Sequence, residues 1–233
     1  IKFEGIILYD RDDGLLRNDL ASNIFYDRNE KIWRGFTTGF SSYGDPNKKE
    51  KKELWAVESS KNPLQGISIM NAKSTGLVGD YEDPQCIYDA ESKKWRMLLC
   101  ENHHGYKAAI RESDTWDGEY KLIAGPVNVN STGTQLLTIG DKRYALFGSK
   151  DRTVYIYSYP DLKPSGELNV LRPPWDEKSG TRIWPNVIPL PEGYPVPYIA
   201  LMMDRFNYPG MTGGNWTYGA IYLYHGTIKG YGK

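Results

Sequence analysis

Tyr26-Asp27-Arg28-Asn29-Glu30-Lys31-Ile32-Trp33-Arg34 returns 62 residues later as Tyr88-Asp89-Ala90-Glu91-Ser92-Lys93-Lys94-Trp95-Arg96, with Tyr, Asp, Lys, Trp and Arg kept at five positions. Each copy reads as a hairpin. An apolar strand (Asn23 to Tyr26; Gln85 to Tyr88) enters a polar turn, and a Trp-bearing strand (Trp33 to Phe36; Trp95 to Leu99) leaves it. A weaker third copy is Leu136 to Leu146, turning at Gly140-Asp141. A fourth runs from Val187 through Pro189 and Pro191 to Tyr198-Ile199-Ala200-Leu201. A period of this length dictates architecture, because one copy cannot bury its apolar face without neighbours.

A second submotif follows each of the first three hairpins: a short strand ending in Ser, a polar turn, then Gly before another strand. Its copies are Ala56 to Ser59 reaching Gly66, Ala109 to Ser113 reaching Gly118, and Tyr155 to Ser158 reaching Gly166; Tyr218 to Tyr224 is the matching segment of the fourth unit. Two hairpins per unit make four strands, the content of a propeller blade. The units open near Asp19, Glu82, Thr132 and Trp184, and Phe3 to Tyr9 reads as one strand of an earlier blade. The expectation is an all-β chain forming a single domain over 1–233, a β-propeller of the five-bladed type with about four blades present. These lie near 17–72, 80–126, 131–172 and 182–233, with 1–10 left from a first blade that is largely missing. A ring cannot close with that blade incomplete unless another segment or a second chain supplies the rest. The competing expectation is coincidental hairpin chemistry in a β-sandwich.

Composition narrows the function. Lys and Arg number 29 and Asp and Glu 29, so the net charge is zero, which disfavours nucleic acid as a partner because phosphate binding needs a cationic surplus. No apolar run approaches the ~18 residues of a membrane span, so no membrane partner is expected. The hydrophobic share of 39% is enough for a packed core, while 24 Gly and 14 Pro cut the chain too often for long helices. Cys86 and Cys100 both sit in apolar strands and read as buried thiols, a disulfide being the alternative. With no Cys-x-x-Cys and no spaced His pair, no metal and no cofactor are expected. The chain opens on Ile1, as a processed product or fragment would, and Asn130-Ser131-Thr132 and Asn215-Trp216-Thr217 fit the glycosylation sequon.

The innermost strand of each propeller blade lines the axial channel, so residues at its entry converge. Here the entries are Arg17-Asn18-Asp19, Tyr81-Glu82-Asp83-Pro84, Ser131-Thr132-Gly133-Thr134-Gln135 and Arg182-Ile183-Trp184-Pro185-Asn186. Two of the four entries carry carboxylates, Asp19 in the first and Glu82 and Asp83 in the second. Arg182, Trp184, His103, Asp204 and Arg205 are the candidate ligand-binding residues, Trp184 for stacking on a hydroxylated ligand and His103 for a hydroxyl or a metal. Bland alternatives stand beside each: a strand-initiating turn for Asp83-Pro84, a solvated turn for Asp19, an exposed loop for Glu101, His103 and His104, core packing for Trp184, an internal ion pair for Asp204 and Arg205. Successive residues of a regular strand point to opposite faces, so only one of Glu82 and Asp83 enters a channel.

Tyr81-Glu82-Asp83-Pro84-Gln85-Cys86-Ile87-Tyr88-Asp89, followed by Lys93-Lys94-Trp95-Arg96-Met97-Leu98-Leu99, resembles the blade entries of five-bladed propeller glycoside hydrolases, namely family 43, family 32 and their relatives. Ser113 to Tyr120 is similar to the turn that ends those blades. The resemblance implies a base or nucleophile in the first blade, a charge-tuning Asp in the second and an acidic Glu in the third. If the first blade is missing, Asp19 is the tuning carboxylate and Glu82 the proton donor, whose pKa must be raised. If Asp19 opens the first blade, it becomes the base and Asp83 the tuning residue. The third entry should then carry Glu, yet it reads Thr132-Gly133-Thr134-Gln135.

The resulting expectation is a glycosidase acting on terminal linkages of an oligosaccharide or polysaccharide, in an extracellular or periplasmic location. A non-catalytic carbohydrate-binding propeller is the alternative, and a protein-interaction propeller the third reading. Gly-x-Ser-x-Gly, phosphate-binding glycine loops and zinc-ligand spacings are absent.

Overall fold

The structure is a computed structural model, and it describes residues 8–9, 24–40, 52–59, 68–148, 153–169, 185–205 and 219–226. The chain divides into two compact units, Ile1–Pro126 and Val127–Lys233. All sixteen extended elements of the described residues are strands in four sheets, three of them purely antiparallel.

In the first unit, β1 (Leu8–Tyr9), β2 (Ile24–Asp27), β3 (Ile32–Phe40), β4 (Lys52–Ser59) and β5 (Ser68–Val78) form one sheet in the order β1-β5-β4-β3-β2. β1 pairs in parallel with β5, Leu8 against Ser68 and Tyr9 against Ile69. That pairing corrects one expectation. Leu8-Tyr9, which the sequence assigns to a preceding blade, belongs to the same sheet as β2 to β5. The second sheet is a meander of β6 (Tyr81–Asp89), β7 (Lys94–Glu101), β8 (Lys107–Ser113) and β9 (Lys121–Ala124).

The second unit holds a four-stranded meander of β10 (Thr132–Ile139), β11 (Lys142–Gly148), β12 (Thr153–Ser158) and β13 (Pro164–Asn169). It also holds a sheet of β14 (Val187–Pro189), β15 (Tyr198–Arg205) and β16 (Gly219–Gly226). All four expected hairpins are present. The fourth sheet differs in having three strands among the described residues where four are expected.

The five repeated positions each have a physical reason. Asp27 caps its own turn, its Oδ1 accepting from the amides of Asn29 (2.9 Å) and Glu30 (3.1 Å), and Asp89 does the same for Glu91 (3.0 Å) and Ser92 (3.1 Å). Lys31 (φ 55°) and Lys93 (φ 56°) take the left-handed residue that closes each turn. Tyr26 and Trp33, and likewise Tyr88 and Trp95, are cross-strand partners with ring centroids 5.3 and 5.5 Å apart. Arg34 pairs with Asp27 and lies 3.6 Å from Glu58 on the next strand; Arg96 donates to Asp89 (2.7 Å) and Glu112 (2.8 Å). The motif is therefore a fastener that ties a turn to the third strand of its sheet.

The serine submotif is structural too. Ser59, Ser113 and Ser158 end β4, β8 and β12, and their hydroxyls accept from the amides of Trp33 (3.0 Å), Thr115 (3.4 Å) and Lys163 (3.1 Å). A Cβ on Gly118 would come within 2.6 Å of both Ser113 Oγ and Thr115 Oγ1, which explains the glycine there.

Alternation along the strands builds the core. Phe36, Leu54 and Ala56 of the first sheet pack against Cys86, Met97, Leu99, Ala109 and Tyr120 of the second segment of the unit. Full burial of a Phe, Leu or Met side chain contributes roughly 1.5–3 kcal/mol. Leu98, Cys100, Ala108 and Ile110, on the other face, are equally buried. β7 is thus apolar on both faces, which is why Met97 to Cys100 is an unbroken apolar run. In the second unit Leu137, Leu146, Val154, Val187 and Ala200 join the two sheets. Both cysteines are buried free thiols.

Candidate functional site

The entry of the second sheet departs from a regular strand at the acidic residues. Tyr81 pairs with Glu101 and Glu82 with Cys100, then the register slips so that Gln85 faces Leu98. The extra residue forms a bulge, and Asp83 sits in it with φ 50°. Aspartate tolerates this left-handed conformation better than most residues. The bulge also removes the strict alternation on which the sequence excluded one of Glu82 and Asp83. Both carboxylates are half-buried, and Pro84 behind them is buried.

The third sheet repeats the same bulge. Thr132 faces Gly148, Gln135 faces Leu146, and Gly133 has φ 60°. Glu82-Asp83-Pro84-Gln85 and Thr132-Gly133-Thr134-Gln135 are therefore structural equivalents, each at the start of the first strand of its sheet. The entry that carries two carboxylates in one sheet carries none in the next. Gln135 instead binds Val187 of the fourth sheet twice, its Nε2 donating to the carbonyl and its Oε1 accepting from the amide, both at 2.9 Å.

Beside the acidic entry lies a polar cluster at the same end of β7 and β8. Glu101, expected in an exposed loop, is the last residue of β7 and is 0% exposed. Burial of a carboxylate at a strand end requires partners, and it has them. Arg111 donates from Nε (3.0 Å) and Nη2 (2.6 Å) to Oε1, while His104 Nδ1 lies 2.6 Å from Oε2. The Arg111 guanidinium stands over the Tyr81 ring, 5.5 Å from its centroid. Burial raises the Tyr81 hydroxyl above its ordinary range, with Arg111 opposing the shift and Glu101 adding to it.

His103 meets Tyr81 edge-on at 5.0 Å, and its Nδ1 lies 3.1 Å from the Asp80 carbonyl oxygen. Both histidines belong to a 3-10 turn, Asn102–His104, closed by Gly105 at φ 79°. The ligand-capable atoms of Glu101, His103 and His104 lie within 4.8 Å of one another. Among the described residues, these are the ones grouped so that they could hold a metal ion. A second buried carboxyl, Glu53 near the start of β4, accepts from the Ser74 hydroxyl, and burial raises it above the usual carboxylate range.

Of the sequence candidates, the structure brings Glu82, Asp83 and His103 to one end of the second sheet. Asp19, Arg182 and Trp184 lie outside the described residues. Asp204 and Arg205 are the last two residues of β15, paired with Ala220 and Gly219 of β16. The sequence reading missed Arg111 and the burial of Glu101. The available signal was the acid that ends the apolar run Met97 to Cys100, with an Arg inside the apolar strand that follows.

No family model matches the chain, and no curated protein matches it. Solved structures do. A GH43 β-1,3-galactosidase aligns with a TM-score of 0.57 at 18% identity, over 95% of this chain and 48% of the other. GH43B from a Bacteroides ovatus xyloglucan utilisation locus aligns with a TM-score of 0.52 at 15% identity, over 88% and 40%. The chain spans about half the length or less of each. It has a GH43-like β-propeller fold.

Proposed function

We propose that this chain is part of a glycoside hydrolase that cleaves terminal glycosidic linkages of an oligosaccharide or polysaccharide. The reading is carried by one observation: a GH43-like propeller fold whose second described sheet opens on a bulge bearing Glu82 and Asp83. Glycoside hydrolysis needs one carboxyl to protonate the leaving oxygen and another to attack the anomeric carbon or activate water. In this reading Glu82 is the proton donor and Asp19 the tuning carboxylate; the base comes from a further segment or a second chain. Asp83 holds the bulge and contributes negative charge beside the acid. His103, Arg182, Trp184, Asp204 and Arg205 provide sugar contacts, and the protein works outside the cytoplasm, in an extracellular or periplasmic location.

The second reading is a carbohydrate-binding propeller without hydrolysis. It is favoured by the equivalence of Glu82-Asp83 with Thr132-Gly133, which leaves the third sheet without a carboxylate at the matching position.

Oligosaccharides and alkyl glycosides of pentoses and hexoses, whose poor leaving groups need protonation, distinguish the two once the chain is supplied with the segment or second chain that carries the base. Under the hydrolytic reading Glu82→Gln lowers turnover at least about a hundredfold, the scale of general acid catalysis, with an unchanged melting temperature. Asp83→Gly keeps the left-handed bulge while removing the carboxylate, so a comparable loss there assigns the charge itself a role. Wild-type rates in Glu82→Gln, Asp83→Asn and Asp83→Gly remove this entry from the mechanism. Oligosaccharide binding with no turnover by the propeller so completed favours the second reading.

A further inference from the structure

The histidines of the 3-10 turn are held in one tautomer. A carbonyl oxygen only accepts hydrogen bonds, so His103 Nδ1, 3.1 Å from the Asp80 carbonyl, must be the protonated nitrogen. A carboxylate imposes the same choice on His104, whose Nδ1 lies 2.6 Å from Glu101 Oε2. In a neutral imidazole the proton on Nδ1 leaves the lone pair on Nε2. Metal-binding histidines are oriented in this way, with one ring nitrogen donating to a carboxylate or backbone carbonyl and the other facing the ion. Here two consecutive histidines have that arrangement, their ring centroids are 4.2 Å apart, and both are exposed.

The surroundings are built rather than incidental. Gly79 lies under the His103 ring, where a Cβ would come within 3.1 Å of both Cε1 and Nδ1. The Tyr81 ring supports His103 from the side at 79°. Glu101 is fully buried and spends Oε1 on Arg111, so it orients His104 and is neutralised from behind.

From this geometry we infer that His103 and His104 form a two-imidazole site for a borderline transition-metal dication, with Glu101 and the Asp80 carbonyl as the outer groups that orient the rings. Two metal–nitrogen bonds of ~2.0–2.1 Å at tetrahedral angles place the nitrogens ~3.3 Å apart, and the ring centroids, 4.2 Å apart, already bring the two imidazoles together. Nitrogen donors select copper, nickel and zinc over calcium and magnesium, which prefer oxygen, and among the former Cu²⁺ binds tightest. The inference does not require the glycosidase reading, with which it shares His103.

The test is calorimetric titration of the untagged protein with Cu²⁺, Ni²⁺, Zn²⁺ and Ca²⁺ salts. The chain has three histidines, so His225→Ala serves as the control for non-specific imidazole binding. One equivalent of Cu²⁺ or Zn²⁺ is expected in the wild type and in His225→Ala. His103→Ala and His104→Ala each lose at least about tenfold in affinity, and Glu101→Gln about 10–100-fold, the range for an orienting partner. Because Glu101→Gln alters a buried group, a second measurement stands apart from that variant. Long-range proton–nitrogen spectra of the metal-free wild type show Nδ1–H on both His103 and His104. No transition-metal binding, binding unchanged in the double His103→Ala/His104→Ala variant, tighter binding of Ca²⁺ than Zn²⁺, or Nε2–H rings would each overturn the proposal.

Discussion

Cys86 shows how far one residue's surroundings set its chemistry. Its Sγ lies 3.3 Å from the Tyr120 hydroxyl, which in turn donates to the Trp116 carbonyl at 2.6 Å. Burial pushes the thiol up to about 12, from an ordinary value of 9.0, and burial with Cys86 as neighbour raises Tyr120 as well. Because the thiolate is the reactive form, neither an Ellman-type reagent nor an alkylator at pH 8 should modify the folded protein, whereas unfolding should release both thiols. Between pH 9 and about 12 the unfolded chain gives up the Cys86 proton and the folded chain keeps it. Stability that is intact at neutral pH therefore falls as pH rises through this window. In Cys86→Ala the urea midpoint should decline less steeply with pH over the same range; an unchanged slope removes Cys86 as a contributor. The thiols' burial was legible in the sequence, since both sit in apolar strands. Glu101 was not: a carboxylate at the end of an apolar strand resembles a loop residue until Arg111, ten positions on and opposite Met97 in the β7–β8 register, is found donating to it.

Among elements, the bulges of β6 and β10 matter most, because they break the period of two that made the strands readable. Their positions follow from pairing: two residues on one strand stand opposite one on the partner, and only the partner's identity reveals that. The Asp-Pro and Gly-Thr sequences in them are compatible with several turns. By contrast the hairpins were legible residue by residue, because Asp caps, left-handed Lys and Tyr–Trp pairs act within nine residues. One strand-to-strand tie has a measurable consequence. Gln135→Ala leaves the buried Val187 amide and carbonyl without the two bonds that Gln135 makes, and an unsatisfied buried backbone group costs about 1–3 kcal/mol. A loss of about 2 kcal/mol in denaturant unfolding is expected, together with faster hydrogen exchange at Val187. Wild-type exchange there would mean that the tie is dispensable.

For the molecule as a whole, balanced charge has a direct outcome. With 29 cationic and 29 anionic side chains, solubility should pass through a minimum near neutral pH and rise to either side. A precipitation curve flat from pH 5 to 9 would show that surface patterning outweighs net charge. The all-β class and the four hairpins were determined by the sequence itself, because alternation and turn chemistry are local and the first two repeats carry their own fasteners, whereas the place of Leu8-Tyr9 beside β5 was not. Tertiary structure alone decided which polar groups meet: Glu101 with Arg111 and His104, His103 with the Asp80 carbonyl, Gln135 with Val187 across 52 positions. Such meetings depend on the register between strands and on the packing of one sheet against the next, and a one-residue slip in register would send a strand's side chains to the opposite face.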